Sequence, residues 1–174
     1  MSCSALGAQA KQYAVHMALA MRPLVNGDIS SLSAWLAATP ELAAYGYDEV
    51  SAVRALERAV KGSDFVVIAQ DKKAKLLCGF VWVQAGAAFG KSGYLRLMGV
   101  HPRFRHKGVG TALLAEAEMF VGGVSNDMFV LVPAEGAAAK AFFERRGYQV
   151  TGELSGYRLA EPELLYRKTL TEPL

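Results

Sequence analysis

Hydrophobic residues recur along the chain with two different periods, and each change of period marks an element. Residues 15–24 read as a strand that stops at Pro23; Asp28 then stands where an N-cap belongs, ahead of Ile29, Leu32, Trp35 and Leu36 on one helical face. Thr39 and Pro40 close that helix and put a proline at the first position of a further turn. Asp48 predicts a second cap, opening a helix through Val50, Val53, Leu56 and Val60 that stops at Gly62. Residues 65–70 and 76–84 are β-branched and aromatic runs joined by the charged turn 71–75, which predicts an antiparallel hairpin. A glycine-rich connection, 86–93, leads to a third such run over 94–100. The period then lengthens: Val109, Leu113, Ala117 and Phe120, with Leu114 and Val121, predict a helix that ends at Gly122 and Gly123. Residues 128–132 are a short continuous apolar run stopped by Pro133, the pattern of a strand covered on both faces beside a helical crossover. A helix over 135–146, with Ala139, Phe142 and Phe143 inward and Gly147 at C′, precedes strands over 148–154 and 164–170. The order β-α-α-β-β-β-α-β-α-β-β predicts a single-domain α/β protein of the α+β type. Its sheet is mixed, mostly antiparallel and twisted, with six to seven strands flanked by about four helices.

Composition narrows the function classes. A chain of 174 residues, 52% hydrophobic and 20% charged, is too apolar for a disordered protein and has the size of one domain. No apolar run approaches the ~20 residues of a membrane span, and a net charge of +3 without a like-charge block points to neither a nucleic-acid nor a membrane partner. Residues 1–12, Ala/Ser-rich and without a signal-peptide core, read as a loose tail before a domain over 13–174. Cys3 and Cys78 are too few for a disulfide scaffold, which favours a reducing cytoplasm, and three scattered histidines make no metal set. Trp35, Trp82 and Cys78 read as core.

The chemistry concentrates where the third run meets the long helix. A strand ending Met98-Gly99-Val100 is followed by His101-Pro102-Arg103-Phe104 and then by Arg105, His106, Lys107, Gly108, Val109, Gly110 and Thr111. A helix N-terminus carries amides without intrahelical partners and about half a positive charge, and glycine lets an anion approach its backbone. Lys107 precedes the glycines, so this is not a P-loop, and Leu113 stands where a dinucleotide fingerprint needs its third glycine. For Gly108 and Gly110 alone, an ordinary solvated strand-to-helix turn is the other reading.

Arg105-x-x-Gly108-x-Gly110, after a strand ending Val100-His101-Pro102 and before an amphipathic helix, resembles the acetyl-CoA-binding motif of the GNAT superfamily of N-acetyltransferases. Met21-Arg22-Pro23 leading to Asp28 resembles its first strand and helix, and Cys78-Gly79-Phe80 its third strand. Ala139 to Phe143 followed by Gly147-Tyr148 resembles the helix and strand that pass the cofactor's sulfur end. The resemblance runs over residues 15–170 and implies acetyl-CoA as cosubstrate, with no metal. Met98 and Val100 would hold the pantetheine arm through strand backbone, and the amides from Arg105 to Thr111 the pyrophosphate. Val100, or its neighbour Gly99, would supply the N–H for the oxyanion. Gly99 is also expected to mark the bulge that splays this strand from its neighbour. Ala139, Phe142 and Phe143 would pack against the cofactor.

The chain departs from the family pattern at two places. Where many members have an Asn at the start of the late helix and a Tyr as general acid, it has Gly136 and Phe143, and Phe143 donates no proton. A thiol pKa near 8.5 keeps the thiolate a tolerable leaving group without that acid. Where members often carry an acid on the fourth strand, it has Arg96 and Leu97, leaving the general base unassigned. Deprotonating an ammonium of pKa ~10.4 at pH 7 costs about 4 to 5 kcal/mol, against about 1 to 1.5 for an α-amine near 8, so a low-pKa amine suits this site.

Alternation predicts Tyr94, Arg96 and Met98 on one face, with Arg96 either clamping an acceptor carboxylate or phosphate or pairing with an acidic neighbour. In this fold the front helices and the loop before the last strand usually set the acceptor: Tyr45, Tyr47, Asp48, Glu49, Tyr157, Glu161 and Glu163. Asp48 reads first as a helix cap, Glu161 and Glu163 as a solvated loop, and His101 and His106 as solvated. The reading is acetyl transfer to a primary amine, of a small molecule or peptide, by direct attack in a ternary complex. The alternative is a CoA-binding regulatory or interaction module with little turnover. A homodimer is compatible with either.

Overall fold

A computed structural model describes residues 19–170. The expected tail over 1–12 and the start of the first strand lie outside them. The elements run β1 (Leu19–Pro23), α1 (Ile29–Ala38), α2 (Pro40–Ala43), α3 (Glu49–Lys61), β2 (Phe65–Asp71), β3 (Leu77–Ala88), β4 (Ser92–Val100) and α4 (Val109–Gly122). They continue with β5 (Asp127–Pro133), α5 (Ala137–Glu144), β6 (Gln149–Leu154) and β7 (Glu163–Thr169). Short 3-10 turns, Asn26–Asp28 and Pro102–Phe104, precede α1 and follow β4. The seven strands form one sheet in the order β1-β2-β3-β4-β5-β7-β6. All neighbours are antiparallel except β4 and β5, which α4 joins as a crossover.

The sheet is covered on both sides. On one face α4 and α5 bury Leu113, Leu114, Val121, Met128, Val130, Phe143 and Tyr166; on the other, α1 and α3 bury Leu32, Leu36, Leu56, Ile68, Phe80, Trp82 and Leu97. Full burial of each such leucine contributes about 1.5 to 3 kcal/mol. Two strand glycines bring α4 close. A Cβ on Gly79 would lie 2.8 Å from Leu113 Cδ1 and 2.9 Å from the Gly99 carbonyl, and one on Gly93 would lie 2.5 Å from Val121 Cγ1.

Several expectations change on inspection. Asp28 does not cap α1: its carboxylate accepts from the Val25 amide at 3.0 Å and from Arg22 at 2.6 and 2.8 Å, which ties β1 to the 3-10 turn. Its pKa is held below the usual carboxylate range chiefly by the Arg22 hydrogen bonds. Asp48 does cap α3, in a reciprocal box with Ser51. The buried face of α3 is Ala52, Ala55, Leu56 and Ala59, while Val50 is 60% exposed. Small residues let α3 lie close to α1, so size rather than hydrophobicity decided the phase. The connection over 86–93 is mostly strand: β3 runs to Ala88 and turns through Phe89 and Gly90, both with positive φ. The β2–β3 hairpin forms as expected, with the Asp71 carboxylate accepting from the amides of Lys73 and Ala74. Cys78 is buried and its thiol pKa raised by that burial, so it packs as a small hydrophobe.

Candidate active site

The site is a split in the sheet. Strands β4 and β5 pair only from Gly93↔Met128 to Leu95↔Val130 and then separate. The His101 amide donates to the Cys78 carbonyl at 2.9 Å, towards β3. Alternation therefore turns Leu97 and Gly99 to β3 as well, and aims the backbone groups of Met98 and Val100 into the split. A cleft of about 100 Å³ occupies it, lined by Leu95, Arg96, Leu97 and Met98 on one side and Val130 to Pro133 on the other.

The bulge that opens the split lies at Arg96, not at Gly99. The β3–β4 register steps from Trp82↔Leu97 to Val83↔Leu95, leaving Arg96 as the inserted residue. The insertion reverses the faces beyond it, so Leu95 and Met98 pack with α4 while Leu97 packs with the front helices. Tyr94, Arg96 and Met98 thus do not share a face. Gly99 serves packing instead: a Cβ there would meet Phe80 Cε1 at 2.8 Å and Leu42 Cδ1 at 3.3 Å. With its amide turned to β3, Gly99 is not a donor into the split.

Beyond Val100 the chain makes the 3-10 turn and then a loop in which His106 (φ 60°) and Gly108 (φ 79°) are both left-handed. Gly108 is the N-cap of α4. The first backbone acceptor bond of this helix is Ala112 N–H to the Gly108 carbonyl. Among the described residues no backbone carbonyl accepts from the amides of His106, Lys107, Gly108, Val109, Gly110 or Thr111. That is a row of donors at the positive end of a fourteen-residue helix. Gly110 keeps the approach narrow, for a Cβ there would meet Phe142 Cε2 at 3.2 Å and both Met98 and Val100 at 3.4 Å. Arg105 folds back, its Nε donating to the Val100 carbonyl at 3.2 Å, and Lys107 Nζ lies 5.6 Å from the Phe104 ring. His101 is less solvated than expected: its Nδ1 accepts from the Arg103 amide, and its ring lies against Trp35 and Phe104.

The late helix closes the α4 side of the split. Ala139 and Phe143 line the cleft, and Phe143 is buried edge-to-face against Phe142 and Tyr148. Phe142 packs at the first turn of α4, under the guanidinium of Arg146, 3.7 Å above its ring. Arg146 also donates to the Phe142 carbonyl at 2.7 Å and to Thr111 Oγ1. A cation is thereby fixed to the helix turn that offers the free amides.

The opposite side carries the acceptor candidates. Arg96 lays its guanidinium over Trp82, 4.7 Å from the ring centroid, and donates from Nε to Tyr47 Oη at 3.0 Å; no acidic residue pairs with it among the described residues. Tyr45 lines the cleft, and Tyr157 is 68% exposed outside it. Glu161 is exposed as expected, but Glu163 is not solvated: it is 0% exposed and bound by Arg158 at 2.5 and 3.1 Å. Arg158 stacks over Tyr45 at 4.6 Å and reaches the carbonyls of Arg96 and Leu131 at 3.4 Å each. These two residues follow the last paired step, so one guanidinium bridges the fork. Burial opposes its charge, but Glu163 and the two tyrosines outweigh that and hold its pKa above the ordinary arginine value. Burial pushes the neighbouring Tyr94 phenol up to about 12.

Sequence reasoning missed Arg146, Arg158 and the burial of Glu163. The one local signal was an arginine five residues before a glutamate in a polar loop, which solvated loops show just as often. Among the described residues no group of three or more His, Cys, Asp or Glu side chains could hold a metal ion, and no helix is long and apolar enough to cross a membrane.

Known proteins match this arrangement. The acetyltransferase (GNAT) domain family matches residues 61–150, which include β2 to β5 and the α4 turn. An acetyltransferase from Thermus thermophilus superposes with a TM-score of 0.71 at 19% identity, over 88% of this chain and 98% of that one. Arabidopsis thaliana NAA60 in complex with a bisubstrate analogue gives 0.72 at 18%, over 87% and 97%. Spermidine N-acetyltransferase from Vibrio cholerae in complex with CoA and spermine gives 0.70 at 16%, over 88% and 96%. No curated protein sequence matches the chain. A split mixed sheet, a row of open amides at the head of its crossover helix, and a family match spanning both place the chain in the GNAT family of acetyltransferases.

Proposed function

We propose that the chain transfers an acetyl group from acetyl-CoA to a primary amine by direct attack in a ternary complex. The observation that carries this is the opening of β4 from β5 after Leu95, which leaves strand backbone exposed in line with the free amides before α4. Met98 and Val100 would hold the pantetheine arm as an added strand is held, and the amides of His106 to Thr111 the pyrophosphate; the Arg105 amide, expected to join them, is taken by the Pro102 carbonyl at 3.3 Å. Lys107 and Arg146 add positive potential there. Ala139, Phe142 and Phe143 would cover the sulfur end. The Val100 amide is the oxyanion donor into the split.

Acetyl-CoA supplies the activated acetyl group: a nitrogen–carbon bond forms as the carbon–sulfur bond breaks, and the amine loses the proton that the thiolate gains. Neither Phe143 nor Glu163 helps with that proton. Phe143 has no hydroxyl, and Glu163 is held by Arg158. The acceptor is then an amine with a low pKa, and water carries the proton. The same features favour the second reading, a CoA-binding regulatory or interaction module.

CoA release with a panel of amines separates the two, because a regulator would be stabilised by acetyl-CoA yet release no CoA. The control is Gly108→Asp beside Gly108→Ala. Both strain the left-handed N-cap by about 1 to 2 kcal/mol, but only aspartate sets a negative charge at the phosphate position. We expect acetyl-CoA to raise the Tm of the wild type and of Gly108→Ala but not of Gly108→Asp; equal responses in the two variants would contradict the assignment.

A further inference from the structure

Resting on the transferase reading, we infer that the acceptor amine belongs to a molecule that also carries an anionic group, a carboxylate or a phosphate, and that Arg96 receives it. The bulge inserts Arg96 into the wall of the cleft, next to Tyr45 and across from Leu131. Its guanidinium is held in one plane by the Trp82 face and by Tyr47, yet the hydrogen bond from Nε to Tyr47 is the only one its side chain makes among the described residues. Nη1 and Nη2 keep their donors. A planar fork with its orientation set and its outer edge unused matches the paired oxygens of a carboxylate or phosphate.

The two buried or half-buried carboxylates next to these side chains, Glu163 and Asp64, are occupied. Both oxygens of Glu163 accept from Arg158, whose backbone amide also donates to it at 3.3 Å. Asp64, behind Trp82, accepts from the indole Nε1 at 2.7 Å and from Gln84 at 3.0 and 3.2 Å. An incoming polyamine therefore finds neither Glu163 nor Asp64 free as a counter-ion and meets a guanidinium with no acidic partner among the described residues. An amine with its own anion brings the missing partner. Arg158, bridging the Arg96 and Leu131 carbonyls, also takes the acceptors that a second cationic centre would need.

The test uses matched amines with acetyl-CoA: propylamine, β-alanine and 2-aminoethyl phosphate, with phenethylamine against phenylalanine, and spermidine as the polycation. The expected result is a kcat/KM at least about tenfold higher for one anionic acceptor than for its uncharged counterpart, with spermidine poorest; the β-alanine and phosphate arms distinguish the two anions. Arg96→Gln should raise the KM of that acceptor by about tenfold or more while the KM of acetyl-CoA stays within about twofold, and Arg96→Lys should recover part of the loss. Preference for propylamine, phenethylamine or spermidine, or an Arg96→Gln variant that loses all acceptors alike, would overturn the inference and leave the transferase reading standing. Binding of acetyl-CoA with no CoA release from any amine would instead overturn the transferase reading, and this inference with it.

Discussion

Arg96 shows how much one inserted residue changes. The bulge sends its side chain to the Trp82 face, away from Met98, and opens the fork that Arg158 bridges. Around this pair Tyr94 is a buried phenol with its pKa raised to about 12, because burial disfavours the phenolate. Its folded value lies above the unfolded value near 10, so its contribution to stability is complete below pH 10 and is lost as pH rises to about 12. In denaturant melts the stability of wild type minus that of Tyr94→Phe should therefore stay constant up to pH 10 and fall above it; a value that instead rises there would contradict the buried neutral phenol. The geometry of the candidate cofactor side was partly legible at this scale: Met98, Val100 and the open amides of His106 to Thr111 fall in one continuous segment whose conformation is local. Arg158 and Glu163 were not, because their meaning comes from the carbonyls of Arg96 and Leu131, which only the folded sheet brings to them. Gly99 was misread for the same reason. A strand glycine marks either a bulge or a close approach, and Phe80 decides for the second.

Among the elements, strand and helix types followed from periodicity, and faces were harder. The phase of α3 was set by the alanines that fit against α1, a matter of volume that a hydrophobic count does not weigh. α4 packs closely on β3 and β4, where Gly79 and Gly93 stand beneath Leu113 and Val121. Gly93→Ala would push a methyl against Val121, whose branched Cβ has little rotamer freedom in a helix, and should cost about 1 to 3 kcal/mol. Val121→Ala alone should cost about 1 to 3 kcal/mol through the cavity it leaves. Chemical denaturation of the double variant should give a loss smaller than the sum of the singles, since each change relieves the other. Strict additivity would mean that α4 does not sit on Gly93 as described, and with it would go the placement of the amides at the head of that helix.

For the whole molecule, the two faces of the sheet divide the work. The α4 and α5 face holds the cofactor candidates, the α1 and α3 face the acceptor candidates, and the split between β4 and β5 joins them. Sheet class and strand count were legible from the order of elements. The extent of pairing between β4 and β5 was not, because a buried apolar run reads the same whether or not its neighbour continues beside it. Titration of the isotope-labelled protein with coenzyme A, followed by backbone amide NMR, tests the split and the helix head together. Saturable shifts are expected, concentrated at Met98, Val100 and the amides from His106 to Thr111, with those of β1 and β6 unmoved. Absence of binding, or shifts that centre elsewhere on the fold, would contradict a coenzyme held in the split.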